Sequence, residues 1–300
     1  MKIAIIGNSH FGPILTKQLS EFDKNNSYSF YDTNGKKLDK IKFALNLPFT
    51  DIVYSLSASI SGGGALKLAL KFKKRIVQHF IGSDVLTAQE DLKNGKINYQ
   101  LLNKSKFITV SPWLQDELKH LNIFADIYPH SIFETYAPIK DFYSLRVLTY
   151  QSKGKELFYG MSDLIKLALA FPSIEFRIAG IEKFDGLPTN IKCLGWINML
   201  EELENSTLFL RNAEHDGLPF SVIESLGLGR SVFMRNANFP YVTNFKNYID
   251  LKKKFSIFVE DFNANKIKVN YQAINFIKKE YSKNHVLGNL VKILTENGDK

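Results

Sequence analysis

The stretch from Leu208 to Met234 constrains the fold more than any other part of the chain. It has the pattern of an apolar strand, a polar turn, a short helix, a glycine stop and a second apolar strand. Pro219 suits the first turn of that helix and Gly227 or Gly229 suits the left-handed position at its end, so we predict a helix over residues 219–227. Such βαβ units recur along the chain, which predicts an α/β protein with parallel sheets and right-handed crossovers.

The start of this predicted helix is a candidate anion site. Its backbone N–H groups and the positive end of the helix dipole together suit a phosphate. We assign this contact to four consecutive residues, Gly217, Leu218, Pro219 and Phe220. Asp216 lies in the loop before the helix and Glu224 lies more than a turn inside it. Spacing alone leaves two interpretations open: a ligand-binding pair of acids, or an exposed loop acid beside an ordinary surface carboxylate.

The residues around the two acids resemble a known motif. They read Glu214-His215-Asp216-Gly217-Leu218-Pro219, then Glu224-Ser225-Leu226, then Gly229-Arg230-Ser231-Val232. This frame resembles the donor-binding motif of the group 1 glycosyltransferases, in which an acid is followed by seven residues and then Glu. In this chain Asp216 stands where a first Glu is commoner.

The resemblance implies a fold and an activity. The fold would be GT-B-like, with two Rossmann-type parallel-sheet domains facing a cleft and helices at the end of the chain. The activity would be that of a retaining, hexosyltransferase-type enzyme of polysaccharide biosynthesis, with a cell-envelope glycan, another glycan or a lipid-linked acceptor. The donor would be a nucleotide sugar of the UDP or GDP type, used as a co-substrate without a further cofactor. Asp216 would contact the donor sugar and Glu224 the ribose.

A second segment resembles the same family. The run from Arg75 to Asp84 ends in a His-x-x-Gly-Ser-Asp pattern similar to one found in bacterial members. The resemblance implies that His79 closes a strand and approaches the transferred sugar, so His79 and Asp216 are the candidate catalytic residues. The alternative is a strand-end histidine that bonds only to backbone.

The first strand and its loop leave a rival class of enzyme open. Gly7 and Gly12 are five residues apart, which departs from the G-x-G-x-x-G fingerprint, yet Asp32 ends the next strand where a dinucleotide enzyme would hold a ribose. An NAD(P)-dependent oxidoreductase or epimerase-like enzyme is therefore an alternative, as is a non-catalytic sugar-nucleotide-binding protein. In a GT-B enzyme this loop would face the cleft and Gly12 would allow close ligand approach, whereas a turn glycine would have only a folding role.

The second domain departs from the family at its first loop. Relatives commonly place an Arg and a Lys-Gly pair there to meet the diphosphate, but this chain has Tyr159 before Gly160. Lys153 and Lys155 occupy the loop instead, and we predict that at least one supplies the missing cation as a point charge; a solvated surface loop is the alternative. Arg211, at the end of the strand before the motif, is a further candidate for the diphosphate, with a surface or structural role as the alternative.

The order of these units predicts two domains. Residues 1–142 would form a Rossmann-like domain on the acceptor side. Residues 143–300 would form the nucleotide-sugar-binding domain, with terminal helices that could cross back onto the first. Periodicity is lost between His130 and Ser144, which indicates a linker.

Composition limits the partners that the chain could have. The 300 residues have a formal charge of +9, a single cysteine and apolar runs of strand length. These features predict a cytoplasmic protein without a disulfide framework or metal site, and we find no nucleic-acid-binding signature. The basic balance suits anionic substrates or an anionic membrane. Lys67, Lys71 and Lys74 fall at helical spacing beside apolar residues, so we predict weak contact with the inner face of a membrane; a solvated helix face is the alternative.

Overall fold

The computed structural model describes residues 1–134, 139–142 and 144–296. The chain divides into two compact units. The first comprises Met1–His130 together with Lys283–Lys300, and the second comprises Ser131–Ser282.

The first unit is built on a six-stranded parallel sheet of order β2-β1-β3-β4-β5-β6. Its strands are β1 (Lys2–Gly7), β2 (Ser27–Tyr31), β3 (Ile52–Leu56), β4 (Arg75–Phe80), β5 (Ser105–Thr109) and β6 (Ala125–Ile127). Its helices are α1 (Phe11–Phe22), α2 (Lys37–Asn46), α3 (Gly64–Lys71), α4 (Asp84–Lys93), α5 (Tyr99–Lys104) and α6 (Pro112–His120), with a 3-10 turn over Leu47–Phe49. Central strands such as β3 are buried along their whole length, because helices cover both faces of a parallel sheet.

The second unit has another six-stranded parallel sheet, of order β12-β11-β10-β7-β8-β9. Its strands are β7 (Arg146–Tyr150), β8 (Glu175–Ala179), β9 (Ile191–Gly195), β10 (Leu208–Arg211), β11 (Ser231–Arg235) and β12 (Val242–Phe245). Its helices are α7 (Met161–Ala170), α8 (Met199–Glu204), α9 (Phe220–Gly227), α10 (Tyr248–Asn263) and α11 (Tyr271–Glu280). Two sheets of Rossmann type confirm the predicted α/β class.

The predicted βαβ unit is present as β10, α9 and β11. Pro219 stands at the N-cap of α9, so the helix begins one residue later than predicted. Gly229 has a φ of +70° and takes the left-handed position after the helix. Gly227 is needed for packing, because a Cβ there would lie 2.4 Å from the ring of Phe133.

The units divide after His130 rather than after residue 142. Residues 131–134 attach to the second unit: the Ser131 hydroxyl donates to the Leu218 carbonyl at 3.3 Å, and the Phe133 N–H donates to the Tyr281 carbonyl at 2.9 Å. Residues 143 and 297–300, at the limits of the predicted second domain, lie outside the described residues.

The last helix, α12 (Lys283–Thr295), belongs to the first unit. The Arg75 guanidinium at the start of β4 donates to the carbonyls of Ile293 and Leu294 at 2.7 and 2.8 Å. A cation on the last carbonyls of a helix satisfies unpaired acceptors and opposes the helix dipole. Arg75 therefore fixes α12 to the first sheet.

Candidate functional site

The loop between β10 and α9 is positioned by hydrogen bonds to backbone carbonyls of the loop that follows β7. The Glu214 N–H donates to the Phe158 carbonyl at 2.9 Å, and the Asn212 side-chain amide donates to the Gly160 carbonyl at 3.3 Å. Gly160 has a φ of +75°, and a Cβ there would lie 2.2 Å from the Asn212 side chain. Both loops leave the carboxyl edge of the sheet, where parallel α/β sheets bind their ligands.

Arg211 and Asp216, predicted separately, are brought together at this edge. The Arg211 guanidinium donates from Nε and Nη2 to Asp216 Oδ2 at 2.6 and 2.5 Å. The arginine side chain is 8% exposed and that of the aspartate 23%. The Gly217 N–H donates to the other carboxylate oxygen at 2.9 Å. The Arg211 guanidinium, which we predicted to contact the diphosphate, is therefore already paired with Asp216.

Two tyrosines complete the surroundings of Arg211. Its guanidinium carbon lies 4.7 Å from the ring centroid of Tyr159 and 5.5 Å from that of Tyr150. These are cation–π distances. From the sequence, Tyr159 was noted only as the residue that stands where relatives have a lysine. A tyrosine near a strand-end arginine was the signal that could have revealed this contact.

Glu224 is placed one turn inside α9 and is half-buried. Its carboxylate has neither a hydrogen-bond nor an ion-pair partner among the described residues. Burial raises the pKa of Glu224 from its ordinary value to about 7. A carboxyl group held without a partner costs folding energy, so such groups are concentrated at functional sites.

The N-terminus of α9 lies between the two acids. No side chain in the described part of the chain caps it. Leu218 and Gly217 are buried, whereas Pro219 and Phe220 are partly exposed. The predicted phosphate contact thus has an accessible helix start, with Asp216 before it and Glu224 after it.

The two predicted lysines project from the loop between β7 and α7. Both are exposed, and neither ammonium has a hydrogen-bond or ion-pair partner within residues 1–134, 139–142 and 144–296. Gly154 between them has a φ of +79°, and its N–H donates to Glu156 Oε1 at 2.9 Å. This bond lowers the pKa of Glu156, with a smaller contribution from Lys153. The structure brings the loop to the carboxyl edge of the sheet but does not pair its cations.

Sequence reasoning missed an aromatic surface at the same edge. Trp196 directly follows β9 and is 81% exposed. Its ring centroid lies 6.5 Å from that of Tyr150, which in turn lies 5.7 Å from that of Tyr159. A tryptophan after a strand-end glycine was the available signal.

His79 lies inside the first unit. The structure buries it fully, whereas we expected it to approach a sugar. Its Nδ1 is 2.6 Å from the Tyr54 hydroxyl, and its ring meets His130 edge to face at 5.5 Å. Burial, and then the neighbouring His130, lowers the pKa of His79 well below its ordinary value, so the ring is neutral. A buried neutral ring is not presented to a ligand.

Gly12 also has a packing role in the structure. It lies in α1, and a Cβ there would stand 2.2 Å from the ring of Phe30. The space beside this glycine is therefore filled by β2 and not open to a ligand. This agrees with the folding role that the sequence left as the alternative.

The residues at the ends of β1 and β2 do not favour binding of a dinucleotide. Asp32 is buried, and its Oδ1 accepts from the Gly35 N–H at 2.9 Å, so that oxygen is used within its own turn. Gly7 has a φ of +105°, and a Cβ there would lie 2.1 Å from the Leu56 carbonyl oxygen. This glycine allows two strands to approach each other, which explains it without a pyrophosphate.

In the described ranges, no three His, Cys, Asp or Glu residues are grouped so that they could hold a metal ion. The described helices include none that is long and apolar enough to span a membrane.

Comparison with known proteins gives structural but not sequence matches. No protein-family model matches the chain, and no curated protein sequence matches it. The structure is similar to HepE of Anabaena, solved in complex with UDP, with a TM-score of 0.69 and 12% identity over 98% of this chain and 100% of HepE. It is similar to sucrose-phosphate synthase of Thermosynechococcus elongatus, with a TM-score of 0.68 and 9% identity over 98% of each chain.

A third structure is similar over a smaller share of its length. The pneumococcal O-GlcNAc transferase GtfA, solved with UDP and GlcNAc, gives a TM-score of 0.57 and 13% identity over 87% of this chain and 60% of GtfA. Together these likenesses confirm the predicted GT-B-like fold.

Proposed function

We propose that this protein is a glycosyltransferase that transfers a sugar from a nucleotide-sugar donor to a glycan or lipid-linked acceptor. The observation that carries the proposal is the half-buried carboxyl group of Glu224, which has no hydrogen-bond partner among the described residues and lies one turn inside the helix that follows Asp216. An ionised carboxylate accepts hydrogen bonds strongly, and a ribose offers two neighbouring hydroxyl donors. Similarity to structures that contain UDP supports a donor of the UDP type.

In the proposed reaction the bond between the sugar and the diphosphate breaks, and the leaving diphosphate gains negative charge. Stabilising that charge is a task for preorganised dipoles and cations. The N-terminus of α9 supplies the dipole. Arg211 is paired with Asp216, whereas Lys153 and Lys155 of the neighbouring loop have no ion-pair partner in the part of the chain that the structure describes, so we assign these two lysines to the diphosphate.

The remaining roles follow from the family resemblance. Asp216 contacts the donor sugar and also fixes Arg211, and transfer occurs with retention and without a divalent metal. We place the reaction in the cytoplasm, near the inner face of a membrane. His79 and Gly12 are left out of the ligand contacts, because the structure gives both a buried packing environment.

A panel of nucleotides tests the class of enzyme. A ligand at about 100 times its dissociation constant adds roughly 2.7 kcal/mol to the stability of the folded state. We expect UDP and UDP-sugars to raise the melting temperature by several degrees and NAD(P) to leave it unchanged. Stabilisation by NAD(P) alone would reject the glycosyltransferase in favour of a dinucleotide enzyme. Release of UDP from a UDP-sugar only when a glycan is added would separate a transferase from a non-catalytic binder.

Changing Lys153 and Lys155 together to Ala tests the diphosphate contact. We expect the double variant to bind UDP about 10-fold more weakly, because a charge-assisted hydrogen bond contributes roughly 1.5 kcal/mol. UDP binding and sugar transfer are measured side by side. The matched control is Lys252→Ala with Lys253→Ala, which removes the same charge from the exposed side of α10. If both double variants bind UDP as the parent does, the lysines are bystanders.

A further inference from the structure

The outer side of α2 carries apolar side chains that the fold does not use. Leu38, Ile41 and Leu45 are 70%, 56% and 69% exposed. Their spacing of three and four residues places them on one side of the helix. We call these three side chains the α2 stripe. Phe49, in the short turn that follows the helix, is 69% exposed as well.

A different side of α2 packs against the core. Phe43 is the one fully buried residue of the helix and packs in the first unit's core with Leu47 and Leu70. At 100° per residue, Phe43 points about 170° away from the middle of the α2 stripe. The helix therefore has two apolar faces, one inside the protein and one in solvent. A contiguous exposed apolar patch of this kind marks an interaction site.

Lysines border the α2 stripe on both sides. On the helical wheel Lys37 and Lys42 each lie about 40° from its edges. Neither of them, nor Lys36 or Lys40, has an ion-pair partner in the ranges that the structure describes. The one acid of the helix, Asp39, accepts a hydrogen bond from the Asp32 N–H. The border of the stripe therefore carries positive charge that ion pairs with the described residues do not neutralise.

The cationic border continues past the helix. The Lys2 ammonium lies 5.9 Å from the ring centroid of Phe49. The Lys74 ammonium, just beyond α3, donates to the Pro48 carbonyl at 2.9 Å, which holds the end of α3 beside this turn. Apolar side chains at the centre and ammonium groups around them therefore form one surface of the first unit.

We propose that the α2 stripe and Phe49 dock this protein on an anionic lipid bilayer. The apolar side chains enter the boundary between headgroups and acyl chains, while the lysines keep their stems on the apolar surface and their ammonium groups at the lipid phosphates. This inference does not depend on the proposed enzymatic activity, because it concerns binding to lipid alone.

The surface fits lipid better than a protein partner. The cores of protein interfaces are depleted of lysine, whereas here three apolar side chains are flanked by exposed lysines that have no ion-pair partner among the described residues. A bilayer tolerates such lysines, since they reach the headgroups, and its negative charge complements them. The formal charge of +9 also favours attraction to an anionic bilayer.

This surface differs from the one that the sequence suggested. On α3, Leu70 is buried and Leu68 packs against the core, so neither leucine is available to insert beside Lys67 and Lys71. Phe72, just after the helix, is 42% exposed, which is less than each side chain of the α2 stripe. In the proposed docking, the lysines of α3 add positive charge, and the apolar side chains of α2 insert into the bilayer.

Vesicle co-sedimentation of the full chain tests the proposal. We expect binding to phosphatidylcholine vesicles that contain about a quarter phosphatidylglycerol, and at least 10-fold weaker binding to phosphatidylcholine alone. Raising the salt from about 50 to about 300 mM should weaken the anionic-lipid binding several-fold, because it shortens the screening length.

Two variants separate the contributions of the surface. Leu38→Gln, Ile41→Gln and Leu45→Gln together keep helix-forming residues and should reduce binding about 10-fold or more. Lys37→Gln with Lys42→Gln should remove most of the preference for anionic lipid. The control is Ile249→Gln with Ile257→Gln, which changes two exposed isoleucines of α10 and should bind as the parent does. Circular dichroism and thermal melts check that each variant is folded.

Two results would overturn the proposal. The first is equal sedimentation of the parent and the triple glutamine variant with anionic vesicles. The second is a parent protein that does not bind vesicles but is dimeric in sedimentation velocity, while the triple variant is monomeric. The stripe would then be an interface between copies of this chain.

Discussion

Replacing Glu224 with glutamine should weaken binding of UDP or a UDP-sugar by about 10- to 100-fold at pH 8. The loss follows because a charged acceptor contributes about 1.5 to 3 kcal/mol to a hydrogen bond and the amide lacks that charge. Titration calorimetry of the parent and the variant measures it. Equal affinities would mean that Glu224 does not meet the nucleotide.

The pH dependence of the parent gives a second sign of the same contact. The pKa of Glu224 is about 7 in the folded protein, and hydroxyl donors favour its ionised form. Affinity should therefore rise by up to about 10-fold from pH 6 to pH 8, since only about a tenth of the carboxyls are ionised one unit below the pKa. Measured with a UDP-sugar, whose diphosphate diester does not titrate between pH 6 and pH 8, the glutamine variant should show a flat profile.

The same substitution should stabilise the folded protein above neutral pH. Below the unfolded pKa of about 4.5 both states are protonated, and burial of the neutral acid costs little. Between pH 4.5 and pH 7 the unfolded chain has released this proton while the folded chain retains it, so the parent loses stability relative to the variant as the pH rises towards the folded pKa, and the difference levels off above it. We expect a difference on the order of 2 kcal/mol at pH 8 and almost none at pH 4.5.

A matched control makes that result specific. Glu260→Gln changes an exposed carboxylate of α10 and should shift neither the urea midpoint nor UDP affinity. A Glu224→Gln variant that unfolds at the parent's midpoint at pH 8 would show that the carboxyl is better solvated than the structure indicates.

Removing the charge of Asp216 should destabilise the second unit by about 2 to 4 kcal/mol. Asp216→Asn leaves the buried Arg211, which lies near two tyrosine rings, without its ion partner, and an uncompensated buried charge costs about 3 to 5 kcal/mol when burial is complete. Because the carboxylate is partly exposed, we expect a smaller cost than for complete burial, about 2 to 4 kcal/mol. Urea unfolding monitored by fluorescence measures the change.

A double variant separates stability from chemistry. Arg211→Met with Asp216→Asn removes the unpaired charge and should recover at least half of the lost stability, which a double-mutant cycle reports as coupling between the two sites. Transfer should stay lost in both variants, because neither restores the acid that we assign to the donor sugar.

The control is an exposed ion pair in the same unit. Asp261→Asn breaks the contact with Lys266 on the surface and should cost less than about 1 kcal/mol. If Asp216→Asn costs no more than this, the Arg211–Asp216 pair is too well hydrated to hold the loop.

Local patterns in the sequence were sufficient for the architecture. Apolar runs of strand length, Pro219 at a helix start and Gly229 after a helix predict elements that the structure contains within a residue or two. They succeed because capping and periodicity depend on neighbours a few positions away. The position of Glu224 inside that helix was predicted in the same way, whereas its contact with a ribose stays a prediction.

Contacts between distant residues could not be predicted. Phe30 fills the space beside Gly12, and Tyr54 bonds His79 from 25 positions away. The pairing of Arg211 with Asp216 spans only five positions, but it depends on a turn whose direction is set by Phe158 and Gly160. Periodicity carries no information about which side chain fills a given space, so burial and pairing became known only from the structure.

The attachment of α12 to Arg75 has a consequence for the order in which the protein can assemble during synthesis. Domains generally fold as their residues leave the ribosome. The second unit is continuous from Ser131 to Ser282 and has all its residues once that segment has emerged. The first unit lacks α12 until residue 295 has been made, more than 160 residues after its last strand. The half of the protein that is translated first is therefore the half that is completed last.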